Sequence, residues 1–520
     1  MNAAPSMSSF ERSYGQGRQY FESIVSFLDS KEGNEMDLSQ LERELKKRGL
    51  ELMRRLLQEH LDNRSPGLCA EPVIGADGVE RLQIRRPHER KIETVFGTVE
   101  ERRAGYGREG VKSLHPLDGE LNVPPERYSL ELRRRIAIEA AKNSFDETLE
   151  TIENTTAGHI PKRQVEQLAQ RAARDFDAFY ETRRYIPGKN EETGPVLVIT
   201  ADGKGVVMHE QDLREQTRKA AEKSKQKMQT RLSAGEKKDR KRMATVAAVY
   251  TVDTFERTAA DVIAEAGSAV DKKKRPVPEQ KRVWASLKKR PEQVIADALD
   301  EASHRDPDHE KQWVALVDGN NTQIDILNRM AKEKGLELTV VVDIIHVTEY
   351  LWKAGRAFHP KSGPELESWV RHRLLEVLKG KADLMAAGMR RSATRKELDA
   401  KTREPVDACA TYLHNKSPYL HYDRYLSQGL PIATGVIEGA CRHLVKDRME
   451  KTGAKWRLDG AEAVLRLRAL RSSHDFDEYW NFHEACEYKR NHQDLYAGGD
   501  VPSTTKLPFS SDRDHLKVIK

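Results

Sequence analysis

Cysteine is scarce and unpaired in pattern: Cys69, Cys409, Cys441 and Cys486 are scattered through 520 residues without a CxxC motif. That spacing disfavours both a disulfide framework and a structural zinc site. No run of about eighteen apolar residues occurs, so no membrane-spanning helix is expected. The opening stretch MNAAPSMSSFERSYGQGRQY lacks an apolar signal core, which argues against secretion. No repeat of about 20–50 residues is present. An excess of one charge is also missing: 89 Lys and Arg face 83 Asp and Glu, a net charge of +6 that conceals strong local asymmetry. What is there is polar, with 33% charged and 38% hydrophobic residues, yet rich enough in Leu, Val and Ile to build cores. At about 150 residues per domain, three or four structural units are expected. The composition points to a soluble, multidomain protein of a reducing compartment, with basic patches.

Residues 1–35 carry Ser, Gly and Glu without period and read as a flexible N-terminus. Over 36–90, Leu38, Leu41, Leu45, Leu52 and Leu56 recur at helical steps until the loop SPGLCAEPVIGADG breaks the pattern. Residues 91–181 begin with alternating runs (Glu93 to Glu100) that predict a small hairpin. Helices follow, with Ser129 and Ser144 as candidate N-caps and Pro161 opening a third helix after the turn TTAGH. Two short helices joined by a Gly-containing turn resemble a helix-turn-helix, placing Lys162, Arg163, Gln164 and Gln167 where side chains reach base edges. An ordinary helical hairpin with a solvated basic end fits the same spacing. Residues 182–195 (TRRYIPGKNEETGP) read as a linker.

Beyond Pro195 the pattern changes. Buried-type strands run from Val196 to Thr200, through MATVAAVYTVDT, from Trp313 to Val317, and through ELTVVVD. The third and fourth are separated by a helix, which implies a parallel pair. Three strands are predicted to end in acids: Asp202, Asp318 and Asp343. Acids at the carboxyl ends of parallel strands converge on one sheet edge, where α/β folds build their sites. Crowded carboxylates need cations. Hard oxygen ligands without His or Cys suit Mg²⁺ or Mn²⁺, and two such ions about 3.5–4 Å apart clamp the attacking and leaving oxygens in phosphoryl transfer. A single DG pair is more often only a turn; three acids in succession are not so easily dismissed. In GVIEGACRHLVKDRM, Glu438, Arg442 and Lys446 fall at four-residue steps on one helical face, which suits a metal-binding carboxylate beside a phosphate backbone, or plain solvated pairs.

The ordered strings VLVITADGKGVVM, VALVDGNN, VVDIIHVTEYLW and GVIEGACRHLVKDRM…TGAKW, with FGTVEERRAGY, HPLDGELNVPPERYS and IPKRQVEQL upstream, resemble the DDE transposases of the ISKra insertion-sequence group, relatives of the Mutator-like enzymes. The resemblance spans about residues 90–485. It implies an α/β RNase H-like catalytic domain with an all-α insertion, preceded by a mainly helical DNA-binding region. By motif match the D-D-E triad is Asp202, Asp318 and Glu438, holding Mg²⁺ or Mn²⁺, with Asp343 and His346 as an accessory D-x-x-H pair. The residue pattern alone leaves Asp318 and Asp343 equivalent; the resemblance ranks Asp318 first. The implied core occupies 196–346 and 431–485, the helical insertion 347–430, and a tail 486–520.

Residues 211–243 hold twelve Lys and Arg against five Asp and Glu. Such a surface would track a phosphate backbone, through Lys237, Lys238, Arg240 and Lys241 above all, or would be a solvated helical hairpin. His483, Cys486 and His492 are too irregularly spaced for a zinc site. The expected protein is a cytoplasmic, nucleoid-associated transposase acting on double-stranded DNA as a homodimer or higher oligomer. An RNase H-like nuclease or resolvase, or a catalytically idle DNA-binding regulator descended from a transposase, are its rivals.

Overall fold

The computed structural model describes residues 14–185, 192–223, 240–265 and 274–505. The chain forms two compact units, one built from its two ends (Met1–Asp175 with Asp477–Lys520) and one from Phe176–Phe476.

In the first unit, α1 (Gly15–Leu28) lies against the long α2 (Leu38–Arg64). A loose terminus is the sequence expectation for residues 1–35, of which 1–13 lie outside the described residues. Helix forms instead because Ile24 and Phe27 are buried and Glu59 accepts the amides of Gln16 and Gly17 at the new helix start. The predicted hairpin is present and longer than the alternating run suggested. Strand β1 (Gln83–Thr94) pairs antiparallel with β2 (Gly97–Arg108), and β3 (Val111–Leu114) completes a three-stranded sheet. This unit is therefore less purely helical than the sequence implied. Helices α3 (Leu130–Lys142), α4 (Phe145–Thr155) and α5 (Lys162–Ala172) follow. Ser129 and Ser144 do cap α3 and α4, the latter in a reciprocal box with Glu147. Leu132, Ile136, Ile152, Ile160, Val165 and Leu168 form their shared core. The C-terminal helix Phe476–Asn491 contributes buried Tyr479, Trp480 and His483, with the Tyr479 hydroxyl donating to the Ala172 carbonyl at 2.6 Å.

The second unit begins with α6 (Phe176–Tyr185), which takes up the start of the expected linker. Its centre is a five-stranded mixed sheet: β4 (Val196–Val207), β5 (Lys241–Val252), β6 (Glu279–Ser286), β7 (Gln312–Val317) and β8 (Leu338–Val342), in the order β8-β7-β4-β5-β6. β8, β7 and β4 are parallel, β5 runs antiparallel to β4, and β6 runs antiparallel to β5, so β5 alone opposes the other four strands. The fold of this unit is thus mixed α/β, and β6 is a strand that sequence pattern did not mark. Helix α7 (Pro291–Arg305) packs on β4 and β5, and α8 (Asn321–Lys334) makes the β7–β8 crossover. Four helices then pack on one another: α9 (Ile344–Phe358), α10 (Pro364–Leu378), α11 (Ala382–Arg395) and α12 (Ala400–Lys416). The chain returns to the sheet through α13 (Tyr422–Ser427), α14 (Gly435–Ala440) and α15 (Leu458–Ser472), the last lying on β6. No helix of the described residues is long and apolar enough to cross a membrane.

Candidate active site

The parallel register fixes where the acids stand. Val317 pairs with Ala201 on one side and with Val342 on the other. Asp202, Asp318 and Asp343 each follow one of these residues, so three neighbouring strands carry an Asp one step past a common line. Asp202 departs from the sequence expectation in one respect. It does not end its strand, because β4 runs on to Val207 through antiparallel pairing with β5, where Asp202 faces Val246. Only its parallel pairing stops there, which is sufficient to bring the carboxylate to the same edge.

The three acids differ in their surroundings. Asp343 is fully buried and N-caps α9. Its Oδ1 accepts from the Ile345 amide at 3.0 Å and the Thr434 amide at 3.3 Å; its Oδ2 accepts from the Thr434 hydroxyl at 2.6 Å and lies 3.1 Å from His346 Nδ1. Both oxygens are occupied, and through Thr434 they tie the segment leading to Glu438 onto the sheet. The Ile344 amide adds a bond to the Ile432 carbonyl at 3.0 Å. Asp318 is half-buried; its Oδ1 accepts the Asn320 amide at 2.8 Å, and its Oδ2 has no partner among the described residues. Asp202 is half-buried, with Oδ1 accepting the Gly203 amide at 2.5 Å and Oδ2 accepting the Cys441 thiol at 3.2 Å.

Glu438 is exposed on α14. Its carboxyl is raised from the ordinary value by partial burial and then by the negative charge of Asp343, with Asp202 and Glu349 adding to the rise and His346 opposing it. His346 is raised in turn by its bond to Asp343, with the charges of Asp318 and Glu349 contributing. These mutual effects place Glu438, His346 and the strand-end acids in one electrostatic neighbourhood. Glu349 escaped sequence reading although it stands three residues after His346, a spacing that puts both on one face of α9.

The helix after Glu438 is not regular. Cys441–Lys446 forms a π-helical turn, which brings Cys441 round towards the sheet. Glu438, Arg442 and Lys446, expected on one helical face, are all exposed. Arg442 is 71% exposed at 3.9 Å from Asp447, Lys446 is exposed, and the turn points Cys441 at Asp202. Burial followed by the Asp202 charge pushes the Cys441 thiol far up, so it remains a protonated donor to the carboxylate.

The basic stretch also differs from expectation. Lys237 and Lys238 lie outside the described residues. Arg240 is buried beside Glu210 at 3.3 Å, and Lys241 is half-buried beside Glu450 at 3.6 Å. Arg242 donates to the carbonyls of Leu287 and Asp212. These three cations fasten β5 to neighbouring segments and are not a free phosphate-binding row. On α5, Lys162 and Arg163 are exposed, Gln164 and Gln167 half-buried, and Lys162 lies 2.6 Å from Asp146.

In the first unit, Asp175, His483 and Glu487 are buried with one ligand atom each within 4.8 Å of the others, a group that could hold a metal ion. It is the one such group among the described residues, so the ligand atoms of Asp202, Asp318 and Glu438 stand further apart. Asp175 and Glu487 are already compensated: Arg490 bonds both, Arg174 lies 2.7 Å from Glu487, and buried Arg133 lies 3.4 Å from it. Burial alone would raise the Asp175 carboxyl, but bonds from His483 and Arg490 outweigh it and the net is a lowering. Cys486 and His492 do not join the group. In comparisons with known proteins, the chain matches no protein-family model and no curated protein.

Proposed function

We propose that this chain is a DNA transposase that cleaves and joins strands at the ends of a mobile element through Asp202, Asp318 and Glu438. The observation that carries the reading is the common register of the acids: Asp202 and Asp318 lie side by side on adjacent parallel strands, and the Cys441–Asp202 bond docks the Glu438 helix against them. The sheet order, in which β5 alone runs opposite to the other four strands, is compatible with an RNase H-like domain. The interposed helices α9–α12 correspond to an all-α insertion ahead of the Glu helix.

The donor set fits Mg²⁺ or Mn²⁺. It offers carboxylate oxygens with an unpartnered Asp318 Oδ2 and an exposed Glu438, while the one nearby sulfur is protonated and hence a poor ligand. Bound metal would supply charge neutralisation and a nucleophile, water or a 3′-hydroxyl, of lowered pKa. The chain's own residues do the placing. The sheet aims Asp202 and Asp318, Asp343 holds the Glu438 segment by way of Thr434, and His346 shields the acids' mutual repulsion. Asp343 has no oxygen to spare, which supports Asp318 as the second acid of the triad.

The test is cleavage of a plasmid carrying the gene's own flanking sequences by wild type, Asp202→Asn, Asp318→Asn and Glu438→Gln. Metal-dependent cuts ending in 3′-hydroxyls, with strand joining, are expected of wild type alone, and each variant should still bind the flanks. Cleavage without joining would favour a nuclease or resolvase. Near wild-type cutting by a variant would overturn the triad.

A further inference from the structure

The turn that carries Asp318 is held from outside the sheet. Asp318-Gly319-Asn320-Asn321 leaves β7 and enters α8 within four residues. Asp318 Oδ1 accepts the Asn320 amide, and the Asn320 side chain in turn caps α8 by accepting the Thr322 amide at 3.0 Å. Gly319 adopts φ +91°, a conformation that L side chains rarely take. Across this turn lies α12, a helix of the insertion. The Tyr412 hydroxyl donates to the Asp318 carbonyl at 3.1 Å. One turn later, the Lys416 ammonium, only 5% exposed, donates to the Asn321 side-chain oxygen. A Cβ at Gly319 would sit 2.5 Å from the Tyr412 hydroxyl, so the two are packed as closely as a glycine permits. Tyr412 is itself fixed by stacking on Tyr350 of α9, with ring centroids 4.1 Å apart.

A neighbouring contact follows the same plan. Tyr422 of α13 donates to the Val342 carbonyl at 2.6 Å, at the residue before Asp343. Two tyrosines from outside the sheet thus each bind a backbone carbonyl at an acid-bearing strand end. Buried carbonyls at strand ends need partners, but a turn between strand and helix could find them in water or in its own amides. Here they come from a distant segment, and Lys416 adds a buried cation that is costly to place for stability alone.

We propose that Tyr412 and Lys416 are positioning residues for Asp318, so that helix α12 of the insertion sets the aim of this carboxylate and thereby the metal affinity of the acid set. The inference rests on the transposase reading for the role of Asp318, but its first readout is metal binding. Octahedral Mg²⁺ tolerates displaced ligands poorly. A released turn should therefore cost metal affinity before it costs fold.

The experiment titrates Mn²⁺ into the full-length, metal-free protein without DNA, following free Mn²⁺ by electron paramagnetic resonance, for wild type, Asp318→Asn, Tyr412→Phe, Asn321→Ala and Lys416→Met. Loss of one hydrogen bond to the turn should weaken binding roughly five- to tenfold in Tyr412→Phe and Asn321→Ala. Thermal midpoints should fall by only a few degrees, since each variant leaves one group without a partner, and the Mg²⁺ concentration for half-maximal cleavage should rise in parallel. Asn321 is exposed, so Asn321→Ala decides the matter if the Tyr412 or Lys416 variant fails to fold. Undiminished Mn²⁺ binding in Asn321→Ala and in every folded variant at Tyr412 and Lys416, alongside weakened binding in Asp318→Asn, would overturn the positioning role alone. Undiminished binding in Asp318→Asn would overturn the acid assignment itself.

Discussion

At the scale of single residues, environment separates acids that look alike. Asp343 gives both oxygens to buried donors, so Asp343→Asn would set an amide NH₂ against groups that themselves donate. The expected result is a loss of about 2–4 kcal/mol on denaturant unfolding, with residual cleavage retained in the folded fraction. Asp318→Asn should leave stability close to wild type and remove cleavage. Glu438 provides a test through pH. Its carboxyl is raised above the ordinary value of 4.5, so the metal-free fold binds this proton more tightly than the unfolded chain does. That contribution to stability is complete below 4.5 and is lost as pH rises through the raised value. Metal favours the ionised form and removes the penalty. Stabilisation by Mg²⁺ should therefore be small at about pH 5 and grow towards about pH 8, as read from thermal midpoints with and without the ion. Equal gains at both ends would mean that Glu438 does not bind the metal.

At the scale of elements, a helix's geometry decides what its side chains can serve. The π turn after Ala440 leaves Glu438, Arg442 and Lys446 exposed and brings Cys441 to Asp202. On α5, Arg163 is exposed near the start of the helix, the position from which a recognition helix reaches base edges. If α4 and α5 read the element ends, Arg163→Ala in the full-length protein should weaken binding to end sequences about five- to a hundredfold, since a good base contact is worth roughly 1–3 kcal/mol. Binding to scrambled duplex should change little. A mobility-shift comparison of the two duplexes checks this, and an equal loss on both would reduce Arg163 to a phosphate contact.

At the scale of the whole molecule, the two chain ends build one unit and the middle builds the other. Residues 1–190 alone would thus lack part of their own core. The C-terminal helix supplies buried Tyr479 and Trp480, and the His483 and Glu487 that close the ion network with Asp175 and the arginines. Losing a buried aromatic costs about 3–5 kcal/mol, and losing two with their network approaches the whole stability of a typical domain. Truncation after Phe476 is expected to abolish protection of residues 92–172 in hydrogen exchange while that of β4, β7 and β8 persists. Retained protection of α3–α5 would show that the N-terminal segment folds without its C-terminal partner.

The sequence by itself determined the features that depend on neighbours along the chain. Ser129 and Ser144 cap because capping is a three-residue relation, the Glu93–Glu100 stretch turns back as a hairpin because its alternation is local, and strand–helix–strand around α8 makes a parallel pair because the crossover leaves no other packing. Together these relations were sufficient to place Asp318 and Asp343 at the ends of neighbouring strands. Tertiary structure alone decided which acid keeps a free oxygen, since that depends on Thr434, ninety-one residues beyond Asp343. It decided that Arg240 and Lys241 pair with Glu210 and Glu450, a use of charge that composition cannot distinguish from a free basic surface. It also decided that Tyr412 meets the Asp318 turn and that the last helix returns to the first unit. Each of these outcomes rests on contacts between segments far apart in the chain, where burial and hydrogen-bond supply, not periodicity, set what a side chain does.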